Sequence, residues 1–240
     1  MIKLTERLKL IADMIEEGET VVDIGTDHGF LPLFLWENRI SPKVIMADIS
    51  EGSLDKARQN CIAAYPDMNF DLRLGDGLEV LSCGEVDTVV MAGMGGILIS
   101  EMLDWDIEKT LSFKKFIFQP RSNCGVLRKW LAENGFMIKS ENLVREGKRI
   151  CEVITAIAPK EISSKAMPGM AIFEYEFPDS LIEHKNDLTE EYINTHIASE
   201  KNIIANIVKG KGEEAYDDAN YKDRMRMISR LEALIERLRR

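Results

Sequence analysis

The sequence predicts a doubly wound α/β domain with a mostly parallel sheet, followed by a separate helical hairpin. Two observations carry this prediction: short β-branched runs alternate with amphipathic segments through the first two thirds of the chain, and the pattern then changes to two long helical stripes. Strands that alternate with helices form a parallel sheet covered on both faces. We place the two domains at residues 1–159 and 160–240.

Seven strands are predicted in the first domain, each a short apolar run between turn-forming residues. They lie in TVVDI, KVIMAD, NFDLRL, EVDTVVMAG and KKFIFQP, with two more in FMIKSENLVREGKRICEVITAIA. Helices are predicted in residues 4–15, in GFLPLFLWENR, in SLDKARQNCIAAY with Ser50 or Ser53 as its cap, and in LRKWLAENGF. The last two strands flank Glu146-Gly147, which predicts an antiparallel hairpin at one edge of the sheet.

The second domain is predicted to be two antiparallel helices. Apolar residues recur at three and four spacing in residues 188–209 and again in residues 221–238, and Gly210-Lys211-Gly212 separates the two stripes. Two arrangements fit this pattern: a projecting coiled coil, or two ordinary helices that cover one end of the sheet. We expect Phe173, Tyr175 and Phe177 to dock this domain onto the first.

Composition limits the classes of function. The 240 residues are 45% hydrophobic, which is enough for a core, and no apolar run approaches the twenty residues that a membrane span needs. Charges within the first thirteen residues disfavour a signal peptide, so we expect a cytoplasmic protein that does not bind membranes. The four scattered cysteines lack the spacing of a zinc site or a disulfide framework. We expect no metal, and a monomer or weak homodimer.

The charge is distributed unevenly. The chain carries a net charge of −10, yet residues 222–240 hold seven basic residues and three acidic ones. Nucleic-acid binding needs Lys and Arg to replace counterions, so this basic helix is a candidate RNA surface, although a solvated helix face has the same composition. Its candidate contacts are Arg224, Arg226 and Arg230, and those of the first domain are Arg121, Arg128, Lys129, Lys139, Arg145, Lys148 and Arg149.

The loop after the first strand, in TVVDIGTDHGFLP, predicts the ligand site. In an open parallel sheet, ligands bind at the carboxyl ends of the strands. Gly25 and Gly29 permit close backbone approach, but the order is not the GxGxxG of a dinucleotide site, and Asp23 would repel a pyrophosphate. A carboxylate here favours a cationic ligand without phosphate. S-adenosylmethionine, with its sulfonium and amino groups, has this character.

Two further acids follow the next strands. Asp48 ends KVIMAD, where a carboxylate can accept both ribose hydroxyls, and Asp76 in GDGL can accept from an adenine amino group while Gly77 approaches the ring. Asp is also favoured in ordinary turns, which leaves a purely structural alternative for each acid. Three acids in register at strand ends favour a methyl-donor site. Its other predicted cofactor contacts are Thr26, Ile49, Asn60, Ala92 and Gly93.

Four motifs together resemble a known family. DIGTDHGFLP, ADIS, RLGDGL and AGMGG, in this order, resemble the bacterial tRNA (adenine-22-N1)-methyltransferases, called TrmK, from Leu4 to about Ala158. The pair DIGTDHG and AGMGG is the specific part, since an Asp-x-Gly loop alone indicates only the superfamily. The resemblance implies a Rossmann-like class I methyltransferase domain with a seven-stranded, mostly parallel sheet and a C-terminal coiled-coil hairpin. It also implies S-adenosylmethionine as cofactor and tRNA as partner.

The target atom suggests which residues are catalytic. Adenine N1 has an in-plane lone pair that can attack the methyl group directly, and the product base is cationic. A carboxylate near the ring would therefore stabilise the transition state more than the reactants, and Asp27 is our candidate. The alternative for Asp27 is a helix N-cap. For His28 we expect a positioning role, because N1 of neutral adenine carries no proton to remove.

The base itself must be reached outside a duplex, since N1 lies on its pairing edge. Met94 and Gly95, after the fourth strand, are predicted to contact the incoming base, and Arg121 and Arg149 to contact the RNA. Three other functions stay open: a methyltransferase for another RNA, a protein or a small molecule; a nucleotide-dependent oxidoreductase, which the missing GxGxxG disfavours; and a non-catalytic RNA-binding protein, which the three intact acids disfavour.

Overall fold

The computed structural model describes residues 2–160 and 171–240. The strands are β1 (Val21–Ile24), β2 (Val44–Asp48), β3 (Asp71–Leu74), β4 (Thr88–Met94), β5 (Lys115–Pro120), β6 (Met137–Glu146) and β7 (Arg149–Ile157). Within these residues, six helices alternate with the strands or precede them, and a seventh follows β7. They are α1 (Glu6–Asp13), α2 (Phe30–Glu37), α3 (Glu51–Ala64), α4 (Gly96–Trp105), α5 (Ile107–Ser112), α6 (Cys124–Glu133) and α7 (Ile172–Glu176). They are followed by α8 (Asp179–Glu183), α9 (Thr189–Lys211) and α10 (Ala219–Leu238), and 3-10 turns occupy Gly77–Val80 and Gly212–Asp217.

Within the described residues, seven strands form one sheet in the order β3-β2-β1-β4-β5-β7-β6. The first five are parallel, and β7 pairs antiparallel with both β5 and β6. Gly147 has a positive φ of 59° in the turn between β6 and β7. The predicted mostly parallel sheet with an edge hairpin is confirmed.

Alternate residues of each strand enter opposite cores, as the two-residue period of a strand requires. Val22 and Ile24 of β1 lie in a cluster with Leu103 of α4 and Leu127 of α6. Val21 lies in the cluster on the other face, which includes the buried residues Ile11 and Ile15 near α1 and Leu31 and Leu35 of α2. Helices therefore cover both faces, which leaves the carboxyl ends of the parallel strands as the edge where a ligand can bind.

The described residues form two compact units that divide between Phe177 and Pro178, whereas the sequence predicts a boundary after residue 159. The reason is α7, whose backbone is held by α6 of the same unit. Arg128 donates to the Tyr175 carbonyl oxygen, and Gly125 N donates to Glu176 Oε2. The three aromatic residues predicted to dock the second domain are buried in this first unit: Phe173, Tyr175 and Phe177.

The second unit contains a helical hairpin, as the sequence predicts. The break falls at Gly212, where φ is 59°, and Asp218 caps α10 by accepting from the amides of Asn220 and Tyr221. Arg224 on α10 pairs with Glu200 on α9, which ties the two helices together. The apolar residues that α9 and α10 bury are Ile193, Ile197, Ile228, Leu231, Leu234, Ile235 and Leu238.

Candidate functional site

A cleft of about 370 Å³ opens at the carboxyl ends of β1, β4 and β5. Its lining comes from α1, from the loop after β1, from the end of β4 and from the residue after β5. The lining residues are Thr5, Arg7, Leu8, Asp23, Gly25, Thr26, Asp27, His28, Gly29, Phe30, Leu31, Ala92, Gly93 and Arg121. Eight of the predicted site residues therefore line one cleft: Asp23, Gly25, Thr26, Asp27, His28, Gly29, Ala92 and Gly93, with Arg121 as a ninth.

Glycines shape the loop between β1 and α2. Gly25 has φ 79°, and a β-carbon there would lie 2.8 Å from Met94 Cε, so only glycine fits without displacing Met94. Gly29 has φ 68° and starts α2 without a side-chain cap. The N-cap is thus Gly29, and the alternative role of Asp27 as a helix N-cap is excluded.

Asp23 is a half-buried carboxylate near the floor of the cleft. Burial raises its pKa to about 6, and the charge of Asp48 adds to this rise. The Thr26 hydroxyl and the charge of Arg7 oppose it. A carboxylate that burial has made costly to ionise gains from a bound cation, because the cation replaces part of the lost hydration. Asp23 therefore fits a positively charged ligand.

Asp27 lies at the mouth of the cleft with its side chain 55% exposed. Its Oδ1 accepts from Lys56 Nζ at 2.7 Å, and its Oδ2 lies 3.2 Å from His28 Nε2. The hydrogen bond from Lys56 holds the pKa of Asp27 below its usual range. The His28 ring stacks on Phe30 with 5.3 Å between ring centroids. The site thus presents an ionised carboxylate beside a fixed imidazole.

The second predicted acid, Asp48, is the last residue of β2, and the third, Asp76, follows β3; both strands lie on the side of β1 away from β4. Asp48 Oδ1 accepts from the Ser50 amide at 2.7 Å, which fixes the carboxylate rotamer, and Ile49 is 68% exposed beside it. No described residue donates to the Asp76 carboxylate. Asp76 and Gly77 line a second cavity of about 270 Å³, which also includes Leu98, Met102 and Trp105. An acid and an apolar wall suit a base with an exocyclic amine.

The end of β4 contains a β-bulge at Gly93, where the register with β5 shifts between Ala92 and Met94. Bulges next to ligand sites re-aim neighbouring groups. The Met94 carbonyl oxygen accepts from the Arg121 amide at 2.7 Å, which ties the end of β4 to the residue after β5, and the contact of Met94 with an incoming base stays a prediction. Gly95 precedes α4 and acts as its N-cap, and its contact with substrate stays a prediction.

Arginines form a cationic rim on the β5–β7 side of the cleft. Burial raises the pKa of the Cys151 thiol and Glu146 adds to the rise, whereas the charges of Arg7, Arg121 and Arg149 oppose it. Arg7 and Arg121 line the cleft, and Arg149 lies opposite Glu146, the partner of Arg7, in the β6–β7 pairing. None of the described residues forms a side-chain hydrogen bond with Arg121. The rim consists of Arg7, Arg121 and Arg149.

Sequence reasoning missed Arg7. Its Nε donates to Glu146 Oε1 at 2.8 Å and its Nη1 donates to Gln119 Oε1 at 3.0 Å, which brings α1, β5 and β6 together at the cleft. No motif surrounds Arg7, and its partners lie more than a hundred residues away. The only sequence signal is an arginine beside apolar positions of an amphipathic helix.

Helix α3 supports the loop that carries Asp27. Asn60 Nδ2 donates to the His28 carbonyl oxygen at 2.9 Å, so the structure places this amide on the loop after β1. Its predicted contact with the cofactor stays a prediction. Ser50 caps α3 by accepting from the Ser53 amide, which is one of the two predicted caps.

Several predicted RNA contacts are engaged elsewhere. Arg128 is 2% exposed and pairs with Glu141 and Glu152, so it is an internal structural residue and the prediction that it contacts RNA is wrong. On α10, Arg224 pairs with Glu200, and Arg226 with Asp223. Arg230 also has a partner. To contact RNA, these arginines would have to give up their present partners.

Every helix in residues 2–160 and 171–240 is too short or too polar to cross a bilayer.

Comparison with known proteins gives one consistent result. A family model described as a methyltransferase domain matches residues 4–154. The tRNA (adenine(22)-N(1))-methyltransferase of Bacillus subtilis is 32% identical over 157 residues, which are 65% of this chain and 66%, just under two thirds, of the length of that curated relative. The crystal structure of the B. subtilis M1A22 tRNA methyltransferase TrmK superposes with a TM-score of 0.80 at 26% identity, covering 98% of this chain and 100% of that one. M. capricolum TrmK, in complex with S-adenosyl-homocysteine, has the same fold, with a TM-score of 0.77 at 23% identity, covering 98% of this chain and 99% of that one.

Proposed function

Because the chain belongs to the methyltransferase-domain family, we propose that it transfers a methyl group from S-adenosylmethionine to N1 of an adenine in tRNA, the adenine at position 22. The observation that carries this proposal is the set of three carboxylates that follow successive parallel strands. Asp23, Asp48 and Asp76 meet at one edge of the sheet beside the exposed carboxylate of Asp27. The likeness to TrmK over nearly the whole chain supports the choice of substrate.

The charges of the cleft fit the donor. Asp23 offers a half-buried carboxylate to its positive groups, whereas Arg7 and Arg121 line the same cleft and suit the carboxylate at its amino-acid end. Opposite charges on two walls match a zwitterion. Asp48 suits the ribose hydroxyls, and Asp76 with the exposed Ile49 suits the adenine. When bound, the donor supplies a methyl group activated by its sulfonium.

The chain's own residues then serve the acceptor base. N1 of adenine attacks with its lone pair, so no group of the protein has to remove a proton from it. Asp27 stabilises the positive charge that develops on the ring, and this effect is larger in the transition state than in the ground state. His28, fixed against Phe30 and Asp27, limits the positions that the base can adopt. The catalytic contribution is electrostatic and geometric.

RNA binding is assigned to the cationic rim. Arg121 and Arg149 lie beside the cleft where the backbone next to an extruded base would pass, and phosphate contacts position nucleic acids without reading their sequence. Arg224, Arg226 and Arg230 are proposed as a second contact region on α10. A tRNA substrate also supports a cytoplasmic enzyme.

The test is methyl transfer to unmodified tRNA with isotope-labelled donor, followed by mass spectrometry of the nucleosides and mapping of the labelled position. We expect label in 1-methyladenosine at position 22, and none when a tRNA with guanine at that position is used. Label in another nucleoside would indicate a different RNA methyltransferase. Donor binding without transfer to any tRNA would contradict the proposed substrate, and failure to bind the donor would contradict the proposal as a whole.

A further inference from the structure

One face of α3 packs against the loop that carries Asp27 and forms hydrogen bonds with it. The four residues of this face are spaced at i, i+3, i+4 and i+7, the positions that share one side of a helix. They are Ser53, Lys56, Ala57 and Asn60. The loop after β1 is therefore braced at several points along its length by a single helix.

Each contact is specific. Lys56 Nζ donates to Asp27 Oδ1 at 2.7 Å, and Asn60 Nδ2 donates to the His28 carbonyl oxygen at 2.9 Å. A β-carbon at Gly29 would lie 3.3 Å from Ala57 Cβ, so the loop packs directly on the helix there. Among these contacts, only Lys56 brings a charge to Asp27.

We propose that Lys56 is a positioning residue for the methyl transfer, which holds the Asp27 carboxylate in one orientation toward the incoming base and keeps it ionised. This inference rests on the proposed function and goes beyond it by assigning a residue of α3 to the reaction. Lys56 does not touch the base. It occupies Oδ1 of Asp27, so that Oδ2, on the side of His28, is the oxygen presented to the positive charge of the product.

The electrostatic surroundings of Asp27 support a dominant effect of Lys56. The groups that act on its carboxylate are the ammonium of Lys56, the ring of His28 and the hydroxyl of Ser53, and the hydrogen bond from Lys56 is the largest influence on its pKa. Asp23, Arg7 and Arg121 line the same cleft. An exposed ion pair of this kind contributes little to global stability, so its removal should act on the site and leave the fold intact.

The chain contains a matched control. Arg58 lies two residues further along α3, and its side chain is 52% exposed, as is that of Lys56. Arg58 pairs with Asp55 on its own helix and lines neither cavity. Arg58→Met therefore removes one positive charge from the same helix without touching Asp27.

The experiment compares Lys56→Met, Lys56→Arg and Arg58→Met with the parent protein in two measurements. The first is an NMR titration of the Asp27 carboxyl carbon. We expect its pKa to rise toward the ordinary value in Lys56→Met and to stay low in Lys56→Arg and Arg58→Met. The second is single-turnover methyl transfer. We expect Lys56→Met to lower the rate about tenfold, with donor and tRNA affinity within twofold, and Lys56→Arg to recover most of the loss.

An unchanged Asp27 titration in Lys56→Met would overturn the proposal, and so would an equal rate loss in Arg58→Met. The titration requires no turnover. If the parent protein transfers no methyl group to tRNA, the proposed function fails, and the titration still decides whether Lys56 controls Asp27.

Discussion

Arg7 donates from Nη1 to Oε1 of Gln119 at 3.0 Å, a hydrogen bond that joins the first helix to the end of β5. Gln119 is 1% exposed, so its amide oxygen has no access to bulk water. Arg7 also pairs through Nε with Glu146 on β6. One guanidinium thus anchors α1 to two strands that lie more than a hundred residues further along the chain.

Replacing Arg7 by Met should destabilise the protein by about 1–3 kcal/mol, because a buried acceptor loses its donor. Equilibrium urea unfolding measures this change. Lys9→Met is the control, since Lys9 donates to no buried acceptor. It forms an exposed i,i+4 pair with Asp13 and lies 5.6 Å from the centroid of the Phe34 ring, so its loss should cost about 1 kcal/mol or less. Equal stability of the two variants would show that the link to Gln119 contributes nothing.

Asp23 should make the ligand-free protein less stable as the pH rises from about 4 to about 6. Its pKa is raised from 3.8 to about 6 in the folded state, so the folded protein binds this proton more tightly than the unfolded chain. The stabilisation by the bound proton is complete below the unfolded value and is lost as the pH rises through the folded one. Asp23→Asn should remove this dependence and raise stability at pH 7.5 by on the order of 2 kcal/mol.

The same substitution should weaken donor binding about tenfold to a hundredfold, since a charged hydrogen-bond partner is lost. In the parent protein, donor affinity should fall as the pH is lowered through about 6, because a proton then competes with the cationic ligand for Asp23. Calorimetric titration from pH 5 to pH 8 measures both effects. A parent affinity that is independent of pH would exclude Asp23 from contact with the positive groups of the donor.

Asp27→Asn should lower the rate of methyl transfer about a hundredfold while donor and tRNA affinities stay within twofold. The amide has the shape of the carboxylate without its charge, so stabilisation of the cationic base is lost together with the exposed ion pair to Lys56, which contributes little to global stability. Single-turnover kinetics at saturating tRNA isolate this step. Asp55→Asn is the matched control, because Asp55 is similarly exposed and pairs with Arg58 away from the cleft. Full activity of Asp27→Asn would leave His28 or the backbone as the group that positions the base.

The sheet and the acids at its edge were predictable because both follow from local pattern. The short apolar run in TVVDI, followed by glycine, predicts a strand with Asp23 and Gly25 at its end. Because ligands bind at the carboxyl ends of parallel strands, Asp48 and Asp76 are expected at the same edge of the sheet. Family resemblance to TrmK suggested the donor and the substrate. The helix α5, of six residues, escaped prediction because it is too short to show a period.

The contacts that join distant segments could not be predicted. Arg7 meets Gln119, and Arg128 meets Glu152, only because of how helices cross the finished sheet. From sequence alone, Arg128 resembles any surface arginine on an amphipathic helix, yet burial and two acidic partners make it internal. Lys56 had no motif around it, and its relation to Asp27 follows from the packing of α3 against the loop. Charge pattern predicts solvated surfaces well and buried ion pairs poorly.

The two candidate RNA regions should be distinguishable by the salt dependence of tRNA binding. Each phosphate contact adds about 0.7–0.9 to the slope of log affinity against log salt. Arg121→Ala with Arg149→Ala should reduce the slope by about 1.5 and also slow methyl transfer at saturating tRNA, because these residues are proposed to lie beside the base that reacts. The triple variant Arg224→Ala, Arg226→Ala and Arg230→Ala should also reduce the slope. We expect this reduction to be smaller than the value for three full phosphate contacts. Arg224 and Arg226 must exchange their pairs with Glu200 and Asp223 for phosphates, which offsets part of the gain.

The control for total charge removes three lysines from α9 instead: Lys201, Lys209 and Lys211. If long-range charge alone governs binding, this triple variant will lose as much tRNA affinity as the α10 variant does. We expect a smaller loss and an unchanged slope. Donor affinity should be unaffected in all of these variants except those of Arg121, which lines the donor cleft. Unchanged tRNA affinity and slope in the α10 variant would remove this helix from the interface and leave the rim as the proposed contact region.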